Sequence, residues 1–448
     1  MEICTVGGFE EVGRNMTAVK VGGDVFLFDA GLYLPGVIEL QDKLDVKSYS
    51  EANLRRVGGI PSDKVLDKLG WTSKVKALFI SHAHLDHVGG APYLLHRYPG
   101  VPVYGTPFTI EVLKSIIQDE KLSVSNPFKV VEFKKQYSIP KADPSNKVEF
   151  TFTTHSTIDS AFITLHTREG AFFYALDYKF DDNPTTGLLT DYESLKRIGN
   201  EKVKLAIINT LYASKEESNG TETDADKLLE EAFSKVSERK GAFFVTTFSS
   251  HIERLNTIVK HAQRTGREIV FLGRSLNKYV YAANNIGRCP FKNKIKLMKY
   301  KRQIDSFLKR LDKNREKYLV VCTGHQGEKD SILDRISKKT TPFQFQPGDN
   351  LIFSSSVIPT EVNIESRAKL DKRLEKQGVI LQTNVHVHGH GSKQSKKKLL
   401  ELIKPENIIP AHGSPEQEQG LIDVAKEHGY IYGTTSYLAK NGQVFEFK

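Results

Sequence analysis

Short apolar runs separated by glycine turns dominate the first ninety residues. Gly7-Gly8 and Gly22-Gly23 are followed by Val25-Phe26-Leu27-Phe28, which closes on Asp29-Ala30-Gly31; residues 75–80 form another run, broken only by Lys76. Apolar runs of this length, bounded by turn residues, predict strands buried within a sheet. Residues 107–119 place Ile110, Leu113, Ile116 and Ile117 at helical spacing, and the pattern returns to strands at 128–133, 148–153, 161–166 and 171–176. So many strands with few helices predict a sheet-rich α/β layer rather than repeated βαβ units. Residues 43–68 are polar and without period, and read as a surface insertion.

From residue 205 the pattern changes. Strand-type runs at 205–208, 242–247, 268–272, 318–323 and 350–354 alternate with helical patterns at 224–237, 252–261 and from 276. Such alternation predicts a parallel sheet covered by helices, a second domain of about 160 residues. After a helix near 362–376, the run 379–385 leads into His386-Val387-His388-Gly389-His390-Gly391-Ser392, and 407–410 leads into Ala411-His412-Gly413. A second histidine cluster so far from the one near residue 82 implies that the carboxyl-terminal segment returns to the first domain. The second domain is then an insertion.

A chain of 448 residues exceeds one ordinary core. Its composition, 39% hydrophobic and 26% charged, is that of a soluble globular protein. No apolar run reaches the roughly 18 residues that a membrane span needs, and Met1-Glu2-Ile3-Cys4 lacks the signal-peptide pattern, which predicts a cytoplasmic protein with no membrane partner. Cys4, Cys289 and Cys322 are too few and too scattered for a disulfide framework or a thiolate metal site. The formal charge of +10 favours a polyanionic partner without identifying one. The basic stretches 292–302 and 309–317 read first as solvated helix faces, and Lys393 with Lys396 to Lys398 as groups meeting phosphate or solvent. The turn Thr323-Gly324-His325-Gln326-Gly327-Glu328 has the glycines to present backbone amides to phosphate but lacks the lysine of a P-loop.

The chemistry concentrates in His82-Ala83-His84-Leu85-Asp86-His87, directly after the 75–80 run. Three imidazoles and a carboxylate in six residues cannot all enter an apolar core without a cost of several kcal/mol. A metal makes that density favourable, because neutral imidazole nitrogen and carboxylate oxygen are ligands that zinc selects. Two later strands end on ligand-type residues, His155 and Asp177, and a carboxylate between two metals can bridge them. Asp29, at a strand end before a glycine, fits a supporting role that holds the histidine loop rather than a ligand.

In this order, these features resemble the β-CASP branch of the metallo-β-lactamase superfamily, and within it the shorter, archaeal type of ribonuclease J. The resemblance runs through Glu11-Val12-Gly13-Arg14-Asn15, Asp29, His82 to His87, His155, Asp177, Cys322-Thr323-Gly324, the 354–359 loop, His390 in Gly-His-Gly-Ser and His412 in Pro-Ala-His-Gly. It implies an α/β fold: a metallo-β-lactamase αββα sandwich at 1–208 and 373–448, with an inserted β-CASP domain, a parallel sheet flanked by helices, at 209–372.

It also implies two Zn2+ per chain, with Mn2+ or Mg2+ as substitutes. One is held by His82, His84 and His155, the other by Asp86, His87 and His412, with Asp177 bridging. By the same resemblance His386, Val387, His388, Gly389 and His390 line the substrate pocket, and a histidine at 412 favours RNA over DNA. The implied partner is single-stranded RNA; a second copy of the chain or an RNA-decay complex is compatible with it. One residue departs from the pattern: Asn209 stands where the family has an acidic residue that orients the histidine equivalent to His390.

The expected activity is hydrolysis of RNA phosphodiesters, processive from a 5′-monophosphate end and leaving 5′-phosphate products. Asp86 and His390 are the expected catalytic residues: Asp86 orients or deprotonates the attacking water, and His390 binds the phosphate or protonates the leaving oxygen. An RNA endonuclease is the principal alternative, followed by a small-molecule metallo-hydrolase and a catalytically silent RNA-binding subunit.

Overall fold

The apolar runs of the first half form strands whose two faces are both buried. In Ala171–Ala175, Phe172 and Tyr174 enter one core, while Ala171, Phe173 and Ala175 enter another; Leu205 and Ile207 alternate with Ala206 and Ile208 in the same way. Successive side chains point to opposite faces of a strand, so an unbroken apolar run is what a sheet covered on both sides requires.

The computed structural model describes every residue except 45–48, 219, 237–239 and 359. The chain divides into two compact units, one of Met1–Asp182, Leu188–Asn219 and Gly389–Lys448, the other of Asn183–Gly187 and Gly220–His388. The first unit holds two sheets. Seven strands lie in the order Gln443–Glu446, Glu2–Gly7, Met16–Val21, Asp24–Phe28, Val75–Ile80, Val103–Gly105, Phe128–Val130. Six lie in the order Ile408–Ala411, Val203–Asn209, Ala171–Ala175, Ala161–His166, Lys147–Phe152, Gln136–Ser138.

The core between the sheets is aromatic. Phe26, Phe28 and Phe79 of the first sheet meet Phe150, Phe172 and Tyr174 of the second, with the Phe28 ring 4.7 Å from Phe172 and edge-on to it. The outer face of the six-stranded sheet is covered by the helices Tyr192–Gly199, Lys393–Ile403 and Pro415–Glu427 through Leu195, Ile198, Leu399, Leu400, Leu421 and Val424. The helix Pro107–Asp119 buries Ile110, Leu113 and Ile116, as its spacing predicts, together with Phe108 and Val112, while Ile117 is half-buried. These layers form the expected αββα sandwich, and the carboxyl-terminal segment does return to it: Ile408–Ala411 pairs in parallel with Val203–Asn209.

The second unit is a parallel sheet of six strands in the order Lys296–Met298, Glu268–Leu272, Tyr318–Cys322, Phe243–Thr246, Asn350–Phe353, Ile380–Gln382. Its helix Lys301–Lys313 buries Ile304, Phe307, Leu308 and Leu311 and turns its basic positions outward, in keeping with a solvated face. Cys4 and Cys322 are buried free thiols, and Cys289 is half-buried.

Residues 43–68 are not irregular throughout. They include the end of a helix Leu34–Leu44 and the helices Glu51–Arg56 and Val65–Lys68, with Leu54 and Leu66 buried; residues 45–48 lie outside the described residues. Too short to show a period, this stretch is anchored instead by Asp63, which is fully buried and accepts hydrogen bonds from Arg55, Arg97 and Tyr98. The strand expected at 128–133 stops at Val130, and the helix expected at 224–237 runs Glu222–Ser234, with Ser237 outside the described residues. Pro359, the last residue of the 354–359 loop, also lies outside them.

Phe79 is fully buried and stacks against Phe26, Phe28, Tyr104 and Phe150. Replacing it with alanine is expected to destabilise the first unit by about 3–5 kcal/mol, measured as a lowered urea midpoint at unchanged slope.

Candidate metal centre

Four strands of the first unit deliver a ligand-type residue at or just beyond their carboxyl ends: His82 after Val75–Ile80, His155 after Lys147–Phe152, Asp177 after Ala171–Ala175, and His412 after Ile408–Ala411. Asp86 and His87 lie in the short helix Leu85–Val88. The carboxyl ends of strands are where α/β sheets usually present ligand-binding groups.

The loop that carries the histidines is held by backbone. Leu32 N donates to Leu85 O, Ala30 N to His87 O, Gly90 N to Ala30 O and Asn15 N to Asp86 O, all within 3.1 Å. The approach is so close that a Cβ on Gly31 would stand 1.6 Å from Asp86 O, which only glycine permits.

Two groups of four side chains bring one ligand atom each within 4.8 Å of one another: His82, His84, His155 and Asp177, and Asp86, His87, His412 and Asp177. Asp177 belongs to both. Its Oδ2 lies 3.3–3.4 Å from Nε2 of His82, His87 and His155, and its Oδ1 lies 3.6 Å from His412 Nε2. Asp86 Oδ2 is 3.6 Å from Nε2 of both His87 and His412.

The remote nitrogens are occupied in a way that turns the others inward. His87 Nδ1 donates to Asp29 Oδ2 at 2.7 Å, and the same carboxylate accepts from Ser81 N and Oγ. His155 Nδ1 donates to Gly389 O at 2.6 Å, and His412 Nδ1 lies 3.0 Å from Asn15 Oδ1. A histidine that donates one ring N–H presents a lone pair on the other nitrogen, as metal ligation requires.

The residues fit a metal centre. Among the described residues His82 Nε2 is buried and makes no hydrogen bond, and His155 Nε2 faces His84 Nδ1 at 3.0 Å. A cation between such nitrogens satisfies lone pairs that have no other use there. Burial, reinforced by neighbouring imidazoles, holds His82 and His84 well below the usual histidine range, and burial also lowers His412. His87 is the exception. Burial opposes its charge, but Asp177, Asp86 and Asp29 outweigh burial and raise it well above its usual range. Asp177, for which burial is likewise the opposing effect, is held well below the carboxylate range by the surrounding imidazoles.

His390 stands beside this group, with its ring centroid 5.0 Å from that of His155 and Nδ1 3.8 Å from Asp177 Oδ1; burial lowers it well below the usual range. The division between the two units falls between His388 and Gly389. Gly389 and His390 therefore belong to the first unit, and His386, Val387 and His388 to the second. There His386 Nδ1 lies 3.2 Å from Nη1 of Arg254, a fully buried arginine that pairs with Glu222 through two hydrogen bonds and donates to Ser354 Oγ.

Asn209 does not simply stand in for an acceptor. Its Nδ2 donates to Asp177 Oδ1 at 2.9 Å, and its Oδ1 accepts from Leu211 N and from Lys396 Nζ. Lys396, expected at phosphate or solvent, is fully buried, and Lys393, Lys397 and Lys398 pair with Glu216, Glu427 and Asp182. Helical phase explains the difference: Lys396 shares the inward face of Lys393–Ile403 with Leu399, Leu400 and Ile403. Asn15, Ser81 and Lys396 stand next to the centre, and residue type alone did not select them.

Replacing Asp29 with alanine removes the acceptor that fixes the His87 ring. Affinity for divalent cations is expected to fall about 10–100-fold, read by competition with a chromophoric chelator.

Three family models match this sequence: the metallo-beta-lactamase superfamily over residues 10–166, the ribonuclease J beta-CASP domain over 240–368, and the Zn-dependent metallo-hydrolase RNA specificity domain over 379–434. The chain is 37% identical to ribonuclease J of Pyrococcus abyssi, covering 100% of this chain and 97% of that one. It is 36% identical to ribonuclease J of Methanocaldococcus jannaschii, covering 100% and 99%. A crystal structure of a protein of unknown function from Enterococcus faecalis V583 superposes with a TM-score of 0.64 over 99% of both chains at 16% identity, a likeness of fold alone. No described helix is long and apolar enough to cross a membrane. With identity above one third over essentially its whole length to two archaeal relatives, and with all three domain models matched in order, the chain belongs to the ribonuclease J family.

Proposed function

We propose that the chain is a cytoplasmic metal-dependent ribonuclease that hydrolyses phosphodiester bonds of single-stranded RNA, moving 5′ to 3′ from a 5′-monophosphate end. The observation that carries this reading is the pair of four-membered ligand groups sharing Asp177. Family membership and the matched RNA specificity domain favour RNA as the substrate.

In this reading His82, His84 and His155 hold one Zn2+, Asp86, His87 and His412 hold the other, and Asp177 joins the two groups. Mn2+ and Mg2+ are the alternatives, and the predominance of imidazole favours zinc over magnesium. Two bound cations would supply a water that ionises near neutral pH and would neutralise charge building on the phosphate.

The protein's own residues do the rest. Asp86, whose side chain is 21% exposed while Asp177 is 3% exposed, is the ligand carboxylate open enough to orient the attacking water or take its proton. Attack of the water oxygen on phosphorus breaks the bond from phosphorus to the 3′ oxygen, leaving a 5′-phosphate on one product and a 3′-hydroxyl on the other. His390, kept neutral by burial, donates a hydrogen bond to a phosphate oxygen or to the departing 3′ oxygen. In the second unit, Arg254 holds His386 in one orientation, and burial together with that guanidinium keeps its imidazole neutral. A fixed neutral imidazole suits hydrogen bonding to the 5′ nucleotide, alongside Val387 and His388.

Asp86→Ala and His87→Ala each remove a ligand and are expected to abolish RNA cleavage; retention of most activity by either variant excludes the two-metal reading. The direction of cleavage is tested with 3′-labelled single-stranded RNA bearing a 5′-monophosphate or a 5′-triphosphate, in Zn2+ or Mn2+. Progressive shortening of the monophosphate form alone is expected. Equal internal cleavage of both forms would make the enzyme an endonuclease instead.

A further inference from the structure

The helix Lys393–Ile403 places a lysine inside the protein, one side chain away from Asp177. Lys396 has no solvent exposure, and among the described residues its Nζ makes a single hydrogen bond, to Asn209 Oδ1 at 3.2 Å, while resting 4.5 Å from the centre of the Tyr178 ring. Among the described residues no carboxylate lies within ion-pair distance of it. A fully buried lysine is ordinarily paired, because an isolated ammonium loses several kcal/mol of hydration.

The neutral link explains the arrangement. Asn209 lies at the end of the strand Val203–Asn209, which pairs on one side with Ala171–Ala175, leading to Asp177, and on the other with Ile408–Ala411, leading to His412. A lysine only donates, so the amide oxygen must face it, and Leu211 N donates to the same oxygen. The amide N–H is thereby turned to Asp177 Oδ1. A carboxylate at 209 would neutralise the ammonium and face Asp177 with like charge. Asparagine does neither, and the positive charge of Lys396 remains uncompensated beside the ligand groups.

We propose that Lys396 is an electrostatic positioning residue: an uncompensated buried cation, insulated by Asn209, that opposes loading of divalent cations onto the neighbouring ligand groups and makes the loaded centre more electropositive toward a phosphodiester. The inference rests on the two-metal reading of the centre. Two positive charges within about 10 Å in a low-dielectric interior repel by an amount worth at least a factor of ten in affinity. Burial pushes the Lys396 ammonium down to about 7, against the pull of Asp177, which is the behaviour of a cation without a partner of its own.

The test compares the whole chain with Lys396→Met and Lys396→Gln, each stripped of metal and titrated with Zn2+ against a chromophoric chelator at pH 6.0, where Lys396 is protonated. Thermal unfolding of the metal-free forms is followed in parallel. Methionine removes charge and hydrogen bond together; glutamine removes the charge and keeps a donor for Asn209. Both variants are expected to bind Zn2+ about tenfold more tightly than the parent, with metal-free stability unchanged or raised, since a neutral group replaces an unpaired charge. The acid limb of the RNA-cleavage profile is expected to move to higher pH in both. Zn2+ affinity equal to or weaker than the parent's in either variant overturns the proposal. If methionine destabilises the fold, the glutamine variant alone decides the outcome. A parent protein that fails to take up two Zn2+ overturns the two-metal reading itself, a result distinct from unchanged affinity in the variants.

Discussion

The buried carboxylate of Asp177 imposes the condition that the rest of the first unit meets. A carboxylate 3% exposed, with the Nε2 atoms of four histidines within 3.6 Å, keeps its charge only because positive or donor groups surround it. Those histidines are equally costly to bury, and that burial lowers His82 and His412, while the carboxylates around His87 raise it. The arrangement is stable when each imidazole's outward nitrogen has a partner and its inward nitrogen shares a common centre. Asp29, the carbonyl of Gly389 and Asn15 supply the outward partners from three distant parts of the chain.

That requirement explains why the polypeptide returns after a long insertion. The strand Val203–Asn209 lies between Ala171–Ala175 and Ile408–Ala411, so Asp177, Asn209 and His412 stand side by side only when the last segment pairs into the sheet. His412 adopts a positive φ of 61° and its N–H donates to Gly8 O, which ties the final ligand to the first strand's turn. The insertion does not break the sheet, because the strands before and after it, Val203–Asn209 and Ile408–Ala411, pair in this parallel ladder.

Much of this was legible in the sequence, and what was not has identifiable causes. The density of ligand residues from His82 to His87 is local, so it announces a metal without any three-dimensional information. His155, Asp177 and His412 are legible only as strand ends, and the place of His412 among the ligands only through resemblance, because its partners lie more than 200 positions away. Asn15 acts through an amide, a residue type that carries no metal signal. Gly31 is one glycine among 33, and its necessity lies in a backbone approach that no periodicity encodes. The segment 43–68 concealed short helices because they are held by the buried Asp63 rather than by an apolar stripe. Lys396 sits in a run with Lys397 and Lys398 that reads as solvated, and only the phase of the helix separates the one that points inward.

Asn209 shows how a departure from a family's pattern is judged by its contacts. From sequence, the loss of a carboxylate reads as a loss of charge support for His390. In the structure the position has two demanding neighbours of opposite sign, Asp177 and Lys396, at 2.9 and 3.2 Å. A carboxylate accepts and cannot donate, so it would satisfy the lysine and oppose the aspartate; an apolar residue would satisfy neither. An amide alone among the short side chains donates on one side and accepts on the other with fixed geometry. The substitution therefore exchanges one electrostatic design for another: the buried positive charge stays unneutralised, and the ligand carboxylate gains a neutral donor in place of a competing anion.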